Sequence, residues 1–85
     1  MKATPAAKSP DFWLKKIELE YHSAAHKFPK FNSAHEGYAV IKEELDELWE
    51  LVKKSKQSGP NQFSEQQYEA VQVAAMSLRF LVDLC

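Results

Sequence analysis

The sequence lacks the features that mark disulfide-bonded, membrane-spanning and nucleic-acid-binding proteins. Cys85 is its one cysteine, which excludes an intramolecular disulfide and favours a reducing compartment, so we expect a cytoplasmic location. No apolar run approaches the ~20 residues of a membrane span, and residues 1–10 lack the apolar core of a signal peptide. With a formal net charge of −1 and no basic block, binding to polymeric nucleic acid is disfavoured.

What remains is the composition of a small, folded helical protein. Hydrophobic residues make up 45% of the chain and charged residues 27%, with only two glycines among 85 residues. Residues 1–10 carry prolines among small and polar residues and are predicted to be a flexible arm, and residues 11–85 a single helical domain. A domain this small buries a modest fraction of its surface, so we expect a partner subunit.

Capping residues and prolines divide the domain into helices. Asp11 is a candidate N-cap for a first helix that fades near His26 and is stopped by Pro29. Asn32 or Ser33 is expected to cap a second helix over residues 34–55. Both helices have an apolar face.

The third helix is predicted to begin at Ser64 and to end near Leu84. Ser64 and Gln67 have the spacing of a capping box, and residues 55–61 have the composition of a loop. Apolar and small residues surround most of this helix and leave one narrow polar stripe: Glu65, Glu69, Gln72, Arg79 and Asp83. Three helices cannot easily cover it, so we expect a homodimer or homotetramer whose core is a four-helix bundle of paired second and third helices.

One acidic residue of the second helix falls on its apolar face. With about 100° per residue and Ile41 as zero, the apolar residues form an arc from roughly 260° to about 40°. Glu44 falls at about 300°, inside this arc, and Glu47 at about 240°, on its edge. An ionised carboxylate taken out of water is costly unless it is paired or coordinates a metal. Glu44 and Glu47 are therefore the first candidates for a cation site.

Two motifs on two helices offer oxygen ligands. Glu44-x-x-Glu47 and Glu69-x-x-Gln72 each place two oxygen-bearing side chains on one side of a helix, and the two acidic seams are expected to face each other. Oxygen ligands suit Mg²⁺, or Mn²⁺, which usually keeps several waters and binds substrate phosphates. The competing interpretations are a solvated helix edge for the first motif and a polar interface seam for the second.

The paired motifs resemble those of a known enzyme superfamily. Glu43-Glu44-x-x-Glu47-Leu48, followed by Glu69-x-x-Gln72, is similar to the Glu-x-x-Glu and Glu-x-x-Asp helices of the MazG-like, all-α nucleoside triphosphate pyrophosphohydrolases. The resemblance covers residues 34–84, and HEGYAVIKEELDELWELVKK and EAVQVAAMSLRFLVDL look like segments of small MazG-like proteins from phages and mobile elements.

This resemblance implies a helical dimer or tetramer that binds Mg²⁺ and cleaves a nucleoside triphosphate to the monophosphate and pyrophosphate. Such enzymes often remove non-standard nucleotides, a house-cleaning role. Carried over by position, Glu44, Glu47 and Glu69 are metal ligands, and Glu44 or Glu47 is the catalytic base. The phosphate contacts would come from Lys16, Lys53, Lys54 and Arg79. The nucleobase contacts would come from a pool of aromatic and histidine side chains: Phe12, Trp13, Tyr21, Phe28, Phe31 and His35.

Gln72 departs from the family pattern, which has Asp at this position. A carboxamide still offers a carbonyl oxygen to a metal, but the site loses one negative charge. The change fits a different substrate, weaker metal binding or lost catalysis, and a non-catalytic helical interaction module is the alternative function. Arg79 has a second interpretation as well, an ion pair with Asp83 four residues on.

Overall fold

The described part of the chain folds as three α-helices. The computed structural model describes residues 8–54 and 60–85, with side chains from residue 64 onward in the second range. The helices are α1 (Pro10–Lys27), α2 (Ala34–Lys54) and α3 (Pro60–Leu84), and no strand occurs in the described ranges. The predicted all-α class and helix number are confirmed. Most of the predicted arm, residues 1–7, lies outside the described residues.

Helix α1 begins two residues earlier than the sequence predicted. Ser9, and not Asp11, is the N-cap: its Oγ accepts a hydrogen bond from the Phe12 N–H at 3.2 Å. Pro10 occupies the first helical position, where its missing N–H has no cost, and Asp11 lies in the first turn. The helix ends because Phe28 is extended, as expected for a residue before proline.

Helix α2 has the predicted cap and nearly the predicted length. The Ser33 Oγ accepts a hydrogen bond from the Glu36 N–H at 3.1 Å, so Ser33 is the capping residue of the two candidates. The Glu36 carboxylate in turn accepts from the Asn32 N–H. These reciprocal bonds fix the direction in which the chain enters α2.

Helix α3 starts at Pro60, so the predicted start at Ser64 was wrong. Proline is well suited to the first turn because its φ angle is already helical and its nitrogen needs no partner there. Ser64 therefore lies inside the helix. Of the predicted loop, residues 55–59 lie outside the described part of the chain, and residues 60 and 61 belong to α3.

Helix α3 is the centre of the fold. It packs against both α1 and α2, most closely against α2, whereas no Cα atom of α1 lies within 8 Å of one of α2 in the described ranges. The buried apolar side chains of those ranges are few: Ala24, Phe31, Ala75 and Met76. Partly buried Ile17, Tyr21, Val40 and Ile41 surround this core.

The start of α2 approaches α3 through a glycine. A Cβ at Gly37 would lie 2.6 Å from Cδ2 of Phe80 and 3.2 Å from Cδ2 of Phe31. The missing side chain thus allows the two aromatic rings to pack against the α2 backbone. None of the described helices has the length and apolar character needed to cross a membrane.

Candidate metal centre and adjoining cavity

The acidic motifs of α2 and α3 meet. Glu44 and Glu47, one turn apart on α2, and Glu69 on α3 each place a carboxylate oxygen within 4.8 Å of the other two. Glu44 and Glu69 are half-buried and Glu47 is exposed. The sequence analysis predicted both the position of Glu44 inside the apolar face and the opposition of the two motifs, and the structure brings these residues together.

The cluster is electrostatically strained because it gathers like charges. Burial, a hydrogen bond shared with Glu69, and the charges of Glu47, Glu69 and Glu43 raise the pKa of Glu44 to about 7. Burial and the charge of Glu47 also raise the pKa of Glu69. Protonated Glu44 can donate to the Glu69 carboxylate, which relieves part of the repulsion. A divalent cation would relieve it more completely.

Two polar atoms beside the cluster lack partners within the described structure. They are Oε1 of Glu69 and Nε2 of Gln72, both buried. Gln72 is only 7% exposed, one turn after Glu69 on the same helix. Buried polar groups are nearly always hydrogen-bonded, so an unpartnered pair beside three carboxylates indicates a place where a ligand completes the bonding.

A cavity of about 450 Å³ adjoins the acid cluster. Glu44 belongs to both, because it also lines the cavity wall. The volume falls within the ~300–1,000 Å³ that is typical of small-molecule sites. Residues of all three helices and of the α1–α2 connection line it, among them Glu20, Phe28, Phe31, Tyr68, Gln72 and Arg79.

Arg79 lines this cavity and is held by partners within the chain. Its Nη2 donates to the Pro29 carbonyl oxygen at 2.8 Å and lies 3.8 Å from the Asp83 carboxylate, and its guanidinium lies 4.3 Å from the Phe31 ring centre. The Asp83 carboxylate also accepts from the Phe31 N–H at 3.1 Å. The ion pair with Asp83, one of the two predicted roles, is the one that the structure contains. Arg79 is only 4% exposed, and its guanidinium is bonded to groups of the same chain.

The other predicted phosphate contacts lie away from the cavity wall. Lys53 forms an ion pair with Glu50 at 3.0 Å on α2, and Lys16 lies on the exposed part of α1 with its Nζ 5.9 Å from the Phe12 ring centre. Lys54 is exposed at the end of α2. None of these lysines is among the residues that line the cavity.

The predicted nucleobase contacts divide into two groups. Phe28 and Phe31 line the cavity beside the acid cluster. Trp13 instead packs edge-to-face on Phe12 with ring centres 5.0 Å apart, and His35 lines a separate apolar groove between α2 and α3. The two remaining members of the pool, Phe12 and Tyr21, do not line the cavity either.

Sequence reasoning missed Glu20 and Tyr68, which both line the cavity. Glu20 had the signal that identified Glu44: it lies three residues after Ile17 and four before Ala24, on the apolar face of α1. It is half-buried. Tyr68 directly precedes Glu69, and only the packing of α1 on α3 places it near Glu20.

Comparison with known proteins gives no relative: no family model, curated protein or solved structure matches the chain.

Proposed function

We propose that this protein is a Mg²⁺-dependent nucleoside triphosphate pyrophosphohydrolase of the MazG-like type. The observation that carries the proposal is the convergence of Glu44, Glu47 and Glu69 beside an unpartnered, buried Gln72 amide and a cavity of small-molecule size. The arrangement of acids matches the paired motifs on which the sequence resemblance rests.

The donor set fits a hard divalent cation. All three ligands are carboxylate oxygens within 4.8 Å of one another, and opposed ligands of Mg²⁺ lie about 4.2 Å apart. Glu69 Oε1 has no other partner in the described structure. Gln72 offers a fourth, neutral oxygen through its carbonyl. Manganese has the same preferences and is expected to substitute.

The residues of the cluster have two roles, metal binding and acceptance of a proton. Mg²⁺, when bound, supplies charge neutralisation of the triphosphate and an activated water. Glu44, Glu47 and Glu69 would hold the cation, and the second carboxylate oxygen of Glu44 would accept the proton of the attacking water. Without a cation, burial and the neighbouring carboxylates raise the pKa of Glu44 to about 7. A bound cation would lower this pKa, so that Glu44 is ionised and can accept a proton at neutral pH. The bond cleaved joins the α and β phosphates, and the products are the monophosphate and pyrophosphate.

The active form of this enzyme is a homodimer or homotetramer. An apolar groove of about 630 Å³ between α2 and α3 is lined by Tyr38, Ile41, Phe80 and Leu81, among others. Large apolar side chains also remain exposed, with Leu81 at 59% and Trp49 at 55%. A second copy that pairs its own α2 and α3 with this face would build a four-helix bundle and cover the groove. Sedimentation equilibrium should give at least twice the mass of one chain, and Leu81→Lys should lower it.

The test of the enzyme is pyrophosphate release from a panel of standard and damaged nucleoside triphosphates with Mg²⁺. Glu44→Gln should lower the rate by about 100-fold or more, because it removes both a ligand and the base. Glu50→Gln is the matched control on the same helix, since Glu50 is exposed and pairs only with Lys53 among the described residues. If no triphosphate yields pyrophosphate, or if both variants behave alike, the enzyme assignment is wrong.

The alternative is a non-catalytic helical interaction module, and the neutral Gln72 at the position of the family's Asp favours it. In such a protein the acidic cluster would serve to specify the assembly and would bind no substrate. Neither Mg²⁺ nor a nucleotide should then raise the melting temperature, whereas a specific ligand of the folded state must raise it. A melting curve with and without both ligands therefore separates the two functions.

A further inference from the structure

A second cavity, of about 410 Å³, also adjoins the acid cluster. It is lined by one residue of α2 and four of α3: Leu51, Ser64, Glu65, Tyr68 and Glu69. Glu69 belongs to this cavity and to the cluster, just as Glu44 belongs to the larger cavity and to the cluster. Of the described residues, only Tyr68 lines both cavities. Tyr68 therefore stands where the two cavities and the acid cluster adjoin.

The Tyr68 hydroxyl is a hydrogen-bond donor in the electric field of the acid cluster. Burial, followed by the charges of four carboxylates, raises the pKa of Tyr68, and these belong to Glu20, Glu69, Glu44 and Glu47. The hydroxyl therefore stays protonated at neutral pH and can donate. It has no hydrogen-bond partner among the described residues, and the Tyr68 side chain is 58% exposed. A ligand that enters either cavity can thus reach it.

The other donors of the described chain are less closely tied to the cluster. The guanidinium of Arg79 is bonded within the chain, and the three lysines predicted as phosphate contacts line neither cavity. Ser23 and Lys27 of α1 line the larger cavity, but not the one that contains Glu69. Ionised carboxylates only accept hydrogen bonds. Tyr68 is therefore the donor that both cavities share.

We infer that Tyr68 is a substrate-contact residue, whose hydroxyl donates a hydrogen bond to a phosphate oxygen of a Mg²⁺-bound polyphosphate at the acid cluster. Phosphate oxygens that the metal does not bind still carry negative charge, and the carboxylates around them offer no donor. A hydrogen bond from an O–H to a charged oxygen is stronger than one between neutral groups. The inference rests on the proposed function for the cation and for the phosphate ligand.

The test is calorimetric titration of the full-length protein with the Mg²⁺ complex of inorganic tripolyphosphate. Tyr68→Phe removes the hydroxyl and keeps the ring, and it should weaken binding by about tenfold or more, because a hydrogen bond to a charged group is lost. Tyr38→Phe is the matched control, since Tyr38 is 62% exposed on α2 and lines neither of the two cavities. Equal affinity of Tyr68→Phe and the unaltered protein, or no binding of tripolyphosphate to either, would overturn the inference.

Titration with Mg²⁺ alone separates a phosphate contact from a role in holding the metal ligands. Tyr68→Phe should bind Mg²⁺ as tightly as the unaltered protein does. Weaker Mg²⁺ binding would show that the hydroxyl positions the carboxylates, and it would overturn the phosphate contact. Because the side chain is 58% exposed and the ring is kept, Tyr68→Phe should also retain the melting temperature of the unaltered protein.

Binding and turnover keep this inference separable from the proposed function. A tenfold loss of tripolyphosphate affinity in Tyr68→Phe, without pyrophosphate release from any nucleoside triphosphate, would support the phosphate contact and overturn the hydrolase. Pyrophosphate release by a protein whose tripolyphosphate affinity is the same with and without the Tyr68 hydroxyl would do the reverse.

Discussion

The two ends of the α3 polar stripe are built from similar residues but differ in how far their polar groups are satisfied. At the C-terminal end, Arg79 and Asp83 have side chains that are 5% and 6% exposed and are partnered with each other, with a carbonyl and with an N–H. At the other end, Glu69 and Gln72 each keep a buried atom without a partner in the described structure. The first end is a closed polar network, whereas the second keeps buried polar atoms that have no partner among the described residues.

The satisfied end also explains why the cavity exists. Arg79 and Asp83 bind the backbone of the α1–α2 connection at Pro29 and Phe31, and so hold that connection against α3. The connection then forms one wall of the cavity. A closed polar network at one end thus holds one wall of the cavity that adjoins the acidic cluster.

The largest expected effect is a loss of stability when the Arg79–Asp83 network is broken. Arg79→Met keeps much of the side-chain volume but leaves the buried Asp83 carboxylate without its cation, so the free energy of unfolding should fall by about 3–5 kcal/mol. Urea denaturation measures it. A loss below about 1 kcal/mol would mean that the network does not hold the connection in place.

The next largest effect is a gain in metal affinity when a negative charge is added at Gln72. Gln72→Asp adds a carboxylate beside Glu69 and should raise Mg²⁺ affinity by about tenfold, because affinity grows with the number of charged ligands. Isothermal titration with Mg²⁺ and Mn²⁺ measures it. Gln67→Asp, at an exposed position of the same helix, is the control and should leave the affinity unchanged. Equal affinities for both variants would place the cation away from Gln72.

The third effect is a pH dependence confined to the open end. The pKa of Glu44 is raised to about 7, so the folded protein holds a proton that the unfolded chain releases above about pH 4.5. Without metal, the free energy of unfolding should therefore fall as the pH rises from about 4.5 to 7, by an amount on the order of 1 kcal/mol after screening by solvent. Glu44→Gln should flatten this slope, as thermal unfolding at a series of pH values will show. A slope that persists in Glu44→Gln would assign it to another group.

Metal binding should follow the opposite pH trend. The cation needs ionised Glu44, so Mg²⁺ affinity is expected to rise through pH 7. Affinity that stays constant from pH 6 to 8 would contradict a role for Glu44 as a ligand.

The smallest effect belongs to a polar pair outside both ends. Lys42 bonds Asp46 at 2.9 Å on the exposed side of α2, and this pair raises the pKa of Lys42. Surface pairs of this kind contribute little, so Lys42→Met should leave the denaturation midpoint unchanged within error. A clearly lower midpoint would show that an exposed ion pair contributes to the stability of this protein.

The sequence predicted the helices and the pair of Glu44 and Glu47 because both depend on local spacing. The meeting of this pair with Glu69 depends on the packing of α2 on α3. A repeat near 3.6 residues identifies a helix, and the angular position of Glu44 inside an apolar arc marks it as a carboxylate with a reason to be buried. Asn32 and Ser33 were the two predicted caps, from their place before α2, and the structure identifies Ser33. The predicted start of α3 was wrong because residues 55–61 were assigned to a loop by their composition, whereas Pro60 is the first residue of the helix.

Only the tertiary structure determines the cavity and the partners of the Arg79 guanidinium. Glu20 lies on α1, and Tyr68 and Gln72 lie on α3. No spacing along the chain predicts that α1 and α2 both pack on α3. Arg79 similarly found its carbonyl partner 50 residues away. Helical periodicity determines which side chains share a face, because it is a property of neighbouring residues. Which faces meet depends on the packing of the whole chain, because contacts between distant segments form only when they bury surface together.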